Sequence, residues 1–198
     1  SIAITDHGVM YGVIDFYKYA ISRGIKPIIG CEVYVAPKSR FDKQKTGENK
    51  YHHLILLCKN NEGYKNLIKL VSMGFTEGFY AKPRIDKEIL EKYSGGLIAL
   101  SACLAGEIPR LLTNGESEKA KETALWFSRV FGKDNYYLEM QDHGIEEQKR
   151  VNAGLVRISG ETGLPLVATN DVHYIDHDDF KIHKVLLCIQ TGSRITEE

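Results

Sequence analysis

The chain has 198 residues and carries 26 Lys plus Arg against 26 Asp plus Glu, so its formal net charge is zero. That length builds one domain with a substantial core, and nucleic acid would have to be held by a local patch, because the overall charge attracts none. No run of about 18 apolar residues can span a bilayer, and no basic leader precedes an apolar segment.

Ile2–Ile4 reads as a short strand that runs into Thr5-Asp6-His7-Gly8. From Val9 to Ile21 the apolar residues fall at helical spacing, and Gly24 ends that helix. Lys26–Ala36 is β-rich, and Glu32 interrupts its apolar run. A carboxylate there needs a cation or hydrogen-bond donors. Pro37–Lys50 is a loop with Lys38, Arg40, Lys43, Lys45 and Lys50 against Asp42 and Glu48. A strand from His53 to Leu57 follows Tyr51-His52. Asn60–Gly63 is a turn before an amphipathic helix over Tyr64–Met73.

Gly74–Arg84 is irregular, aromatic and basic, with Phe75, Phe79, Tyr80, Lys82 and Arg84. Asp86 caps a short helix to Tyr93, and Gly95-Gly96 turns the chain into the strand Leu97–Ser101. Two helices are expected over Ile108–Leu112 and Glu118–Phe131. The strand Tyr136–Met140 ends in Gln141-Asp142-His143-Gly144, and a helix over Glu146–Thr162 stops at Gly163 and Pro165. Val167–Tyr174 starts as a β-rich run and turns polar at Asn170, Asp171 and His173. If strand geometry persists there, Asp171 and His173 point the same way. Asp178–Thr191 makes a final helix. Cys31, Cys58, Cys103 and Cys188 show no C-x-x-C spacing and read as reduced thiols of a cytoplasmic protein.

Strands alternate with helices, which argues for a parallel sheet with helices outside, as a barrel or an open sheet. No glycine-rich phosphate loop occurs, whereas polar residues recur at successive strand ends. That pattern favours the barrel, whose chemistry sits where strands end. The candidates are His7, Glu32, His53, Cys103, His143, Asp171 and His173. Singly each has a duller reading: His7 as a helix cap, Cys103 as a buried thiol, His143 as a loop residue. Together, mixed nitrogen, oxygen and sulfur donors in excess of one tetrahedral shell point to a site for more than one metal ion.

The motifs T-D-H-G at Thr5–Gly8, G-C-E-V-Y at Gly30–Tyr34, H-H-L-I-L-L at His52–Leu57 and A-T-N-D-V-H-Y at Ala168–Tyr174 resemble those of the PHP (polymerase and histidinol phosphatase) domain. The variant is the one carried by the alpha subunit of bacterial DNA polymerase III. G-I-K-P-I-I-G, N-N-E-G-Y-K-N-L, K-P-R-I-D and S-A-C-L-A-G-E agree with that variant over essentially the whole chain, 1–198.

The resemblance implies a distorted (β/α)7-type barrel with two or three divalent ions in its mouth, zinc or manganese, with iron or magnesium as further candidates. It implies His7, Glu32, His53, Cys103, Asp171 and His173 as ligands, with Asp171 and His173 catalytic. Asp6, His143 and Asn170 stand behind them. It also implies metal-dependent phosphoester hydrolysis, linked to 3′–5′ exonuclease proofreading of a single-stranded DNA end, with Lys82 and Arg84 as DNA contacts. The implied partners are the remaining polymerase domains and other replisome subunits; the rival role is a structural module that stabilises the polymerase or docks a proofreading subunit. The family's opening H-x-H is absent, so the chain is expected to lack the first strand and helix and to be inactive alone. His53 stands at a strand start, so its strand is expected to run antiparallel to Glu32–Ala36, with His52 facing away from the site.

Overall fold

A computed structural model describes residues 1–43 and 51–195. The positions Lys45, Glu48 and Lys50 of the expected loop lie outside the described residues. Seven strands form one sheet in the order β1 (Ile2–Ile4), β2 (Pro27–Val35), β3 (His52–Cys58), β5 (Leu97–Leu100), β6 (Tyr136–Met140) and β7 (Leu166–Ala168), while β4 (Arg84–Ile85) pairs with β2 off that path. The sheet curls into a half-barrel, as expected of a partial PHP-type barrel.

The sheet is not wholly parallel. β3 is antiparallel to both β2 and β5, and the remaining pairs are parallel. Described residues 37–43, after β2, form no helix, and an antiparallel return needs no crossover helix. Its consequence is positional: Tyr34 pairs with His53, so the start of β3 reaches the end of the barrel where β1 and β5 finish.

The helices are α1 (Val13–Ser22), α2 (Asn61–Thr76), α3 (Lys87–Tyr93), α4 (Glu107–Thr113), α5 (Ser117–Phe131), α6 (Glu146–Thr162) and α7 (Phe180–Thr191), with a 3-10 turn at His177–Asp179. Asn60 begins α2 directly, its side chain accepting from Gly63 N–H, so the expected turn at 60–63 is a cap and first helical turn. Asp86 caps α3 in the same way at Ile89 N–H. α1 starts four residues later than its apolar spacing suggests, because residues 9–12 remain with the loop that carries His7.

Strand alternation divides the core. Leu54 and Leu56 join Cys31, Val33 and Val35 under α2, α3 and α5, packed with Leu67, Leu70, Ile89 and Phe127. Ile55, Leu100 and Ala102, with Leu57, Tyr137 and Val167, form a smaller cluster on the other face of the sheet. Among the described residues no helix is long and apolar enough to cross a membrane.

Candidate metal centre

His7 follows β1 and is held there by the backbone: Gly8 N–H donates to Glu32 O (2.8 Å) and Glu32 N–H donates to Asp6 O (3.1 Å). Gly8 has φ +71°, and a Cβ would lie 2.8 Å from the Tyr34 ring and 2.9 Å from Pro83, so the loop passes where only glycine fits. Asp6 also acts through its main chain, its carbonyl accepting from Cys31 Sγ.

Glu32 is 3 % exposed, and one oxygen, Oε1, lies 2.8 Å from His7 Nδ1 and 3.0 Å from His53 Nδ1. Burial opposes its charge, but hydrogen bonds from His53 and then His7 outweigh it and bring the carboxyl down to about 2. The same hydrogen bond raises His7, helped by the charges of Glu32 and Asp171. Cys103 Sγ stands 3.6 Å from His53 Nδ1. Donor atoms of Glu32, His53 and Cys103 all lie within 4.8 Å of one another.

β7 brings the second half of the site. Its ladder ends at Ala168, and Asp171 takes a left-handed φ of +46°, so strand geometry does not persist to His173 as the sequence suggested. A tight turn unites the two residues instead, with His173 Nδ1 2.8 Å from Asp171 O. That bond fixes the proton on Nδ1 and leaves Nε2 free to donate its lone pair. The His173 ring centroid is 5.3 Å from that of His7.

His143 is fully engaged: Nε2 lies 2.8 Å from Asn170 O, and Nδ1 accepts from Gln148 Nε2 at 2.8 Å. With both nitrogens used, it holds the Asn170 peptide behind Asp171. His52 faces away, among Val35, Leu54, Phe127 and Tyr136, and its buried Nδ1 has no hydrogen-bond partner among the described residues.

Arg84, expected as a DNA contact, is 3 % exposed, and its guanidinium donates to the carbonyls of Gly78, Arg40 and Asp42, so it builds the loop interior. Arg40, counted among the basic loop residues, is likewise buried among Asp86, Glu77 and Glu88. Lys82 is half-buried, with Nζ 5.4 Å from the centre of the Tyr34 ring, and its charge opposes that of His7.

Sequence reasoning missed the aromatic packing of His53, whose ring stacks on Tyr51 (5.9 Å, 9°) and meets the edge of Tyr34 (5.3 Å). It also missed Glu139, buried in β6, whose carboxylate accepts from Ala102 N–H and from Thr169 Oγ1. A carboxylate at an inward position of an apolar strand was the available signal, the same one that singled out Glu32.

The sequence profile of the PHP domain matches residues 1–143. The chain belongs to the PHP domain family. It is 52 % identical over 198 residues to the DNA polymerase III subunit alpha of Borreliella burgdorferi, 49 % over 192 residues to that of Treponema pallidum and 45 % over 199 residues to that of Thermus aquaticus. These matches cover 100 %, 96 % and 100 % of this chain but only 17 %, 16 % and 16 % of the relatives. The chain thus spans about a sixth of the length of the relatives it matches.

The donor chemistry of this PHP domain fits a divalent ion. Burial pushes the Cys103 thiol up to about 11, a value that only a neighbouring cation would reverse. Oxygen, nitrogen and sulfur donors converge from β2, β3 and the turn after β5, with the imidazoles of His7 and His173 nearby, and the exposed His7 opens the cluster to solvent.

Proposed function

We propose that this PHP domain is a metal-dependent phosphoesterase that removes nucleotides from a single-stranded DNA 3′ end, working within a DNA polymerase III alpha subunit beside its polymerase domains and other replisome subunits. The observation that carries the reading is Glu32 Oε1 shared by two imidazole nitrogens with Cys103 Sγ beside them. A buried carboxylate with two N–H donors on one oxygen is the arrangement that remains when a cation is replaced by protons.

Glu32, His53 and Cys103 would hold one ion, and His7, Asp171 and His173 surround the adjoining position. Zinc suits the imidazole and thiolate donors, and manganese the carboxylates. When bound, such ions supply a nucleophilic water at neutral pH and neutralise charge on the phosphate oxygens. His7 and His53, whose Nδ1 atoms now bond Glu32, would offer neutral imidazole nitrogens to the ions, and Cys103 would serve as a thiolate once its proton had passed to solvent. Glu32 and Asp171 would balance the cationic charge, and the His173–Asp171 turn holds the Nε2 lone pair in place. Lys82 faces the same mouth and offers a phosphate contact for the incoming strand.

The test is a 3′-labelled single-stranded oligonucleotide incubated with the longest polypeptide that carries these residues, with manganese or zinc added and removed. Shortening from the 3′ end that depends on metal and is lost in Asp171→Asn is the expected result. Stoichiometric metal with an untouched 3′ label would overturn the hydrolytic reading in favour of a structural metal site.

A further inference from the structure

Glu139 lies in β6, outside the ligand set, and is 6 % exposed. Its carboxylate is fully committed. Oε2 accepts from Ala102 N–H at 3.0 Å, and Oε1 accepts from Gln141 Nε2 at 3.2 Å and from the Thr169 hydroxyl. Its own N–H donates to Ser101 Oγ at 2.8 Å, so side chain and main chain grip the same turn after β5.

The positions of these donors matter. Ala102 has φ +64°, a left-handed conformation that an alanine adopts only when its surroundings impose it, and the next residue is Cys103. Thr169 immediately precedes Asn170 and Asp171, where the chain has left β7. Gln141 approaches Thr169 Oγ1 as well, at 3.4 Å. One carboxylate thus ties the β5 turn that delivers Cys103 to the β7 turn that delivers Asp171 and His173.

We infer that Glu139 is a positioning residue for the metal centre: its two oxygens set the distance between the Cys103 turn and the Asp171–His173 turn, which supply donors to opposite sides of the site. The inference rests on the metal-site reading above. Outer residues that orient ligands commonly influence metal affinity by ten- to hundredfold, and Glu139 orients two turns at once. A structural role alone would cost stability and leave a loaded site unaltered.

The experiment substitutes cobalt(II) and follows its thiolate charge-transfer absorption, which reports Cys103 on the ion without any turnover. Glu139→Gln keeps the volume but turns one acceptor into a donor facing Ala102 N–H or Thr169. We expect it to weaken cobalt affinity by roughly ten- to hundredfold and to reduce the cobalt–thiolate band at saturation. Thr169→Val, which cuts only the β7 link, should weaken affinity while sparing that band, and Thr169→Ser should restore it. A lowered melting temperature in Glu139→Gln with unchanged cobalt affinity and band would overturn the inference, as would absence of the band from the unaltered protein. Full metal loading without DNA hydrolysis would overturn the exonuclease reading and leave the role of Glu139 standing.

Discussion

His7 and His173 face one another with ring centroids 5.3 Å apart, although they follow β1 and β7, the two ends of the sheet order. The curl of the half-barrel sheet is what brings the loops after its end strands that close. If both imidazoles serve one ion, their contributions cannot be independent. Removing either should cost most of the affinity at that position, and removing the second should add little. A double-mutant cycle with His7→Ala and His173→Ala, read by manganese or cobalt titration, is expected to show a coupling of roughly 0.5–3 kcal/mol. Strictly additive losses would assign the two residues to different ions.

Cys103 gives a second measurable consequence. Burial holds its thiol up to about 11, so near neutral pH the metal-free chain carries it protonated. A neutral imidazole binds metal by exchanging tautomers and releases nothing, whereas a thiol must lose its proton. Zinc binding should therefore release close to one proton from Cys103, in addition to any given up by the raised His7, read by calorimetry in buffers of differing ionisation enthalpy. Cys103→Ser should abolish that release and weaken binding. Equal release in the variant would mean that the sulfur is not a ligand.

Much of this was legible in the sequence, for physical reasons that differ by element. β6 and α6 fall at Tyr136–Met140 and Glu146–Thr162 as expected, since strong periodicity and clear stops bound both. The antiparallel course of β3 was readable because His53 at a strand start could reach the mouth in no other way. The burial of Arg84 was not legible, because composition cannot tell a solvated guanidinium from one that satisfies carbonyls inside a loop. β4 escaped notice, being two residues long. Asp171 and His173 do adjoin, through a turn rather than a shared strand face, because Asp171 takes a left-handed φ that Asp tolerates but that its sequence does not require. Glu139 was hidden because its partners come from two other strand ends, far apart in the chain.

Arg84 and Lys82 are two residues apart in the chain, yet only Arg84 is buried. Arg84→Ala strips donors from the buried carbonyls of Gly78, Arg40 and Asp42. At about 1–3 kcal/mol for a buried group left unsatisfied, a loss of roughly 2–5 kcal/mol is expected in urea unfolding. Lys82→Ala should change stability by no more than about 0.5 kcal/mol, as for most surface changes, and weaken binding of a single-stranded oligonucleotide, with a shallower salt dependence. The reverse pattern, Arg84→Ala stable but deficient in DNA binding, would restore Arg84 to the interface.

Two histidines should pull the pH profile of the metal-free chain in opposite directions. His52 is held down to about 4 by burial, against an ordinary 6.5, so the folded state resists its protonation. Its contribution is present above pH 6.5 and is lost as pH falls toward 4, on the order of 3 kcal/mol across that window. His7 is raised by its hydrogen bond to Glu32, so its contribution is present below 6.5 and is lost as pH rises through the folded value. Glu32, brought to about 2 from an ordinary 4.5, adds stability that is present above 4.5 and lost as pH falls through 2. His52→Phe fills a similar volume and removes the orphaned Nδ1. In chelator, its urea midpoint should fall less than that of the unaltered chain between pH 6.5 and 4, and the shared decline below 4.5 should remain. His7→Gln should instead flatten the decline on the alkaline side. An acid limb unchanged in His52→Phe would show that His52 is not what destabilises the fold there.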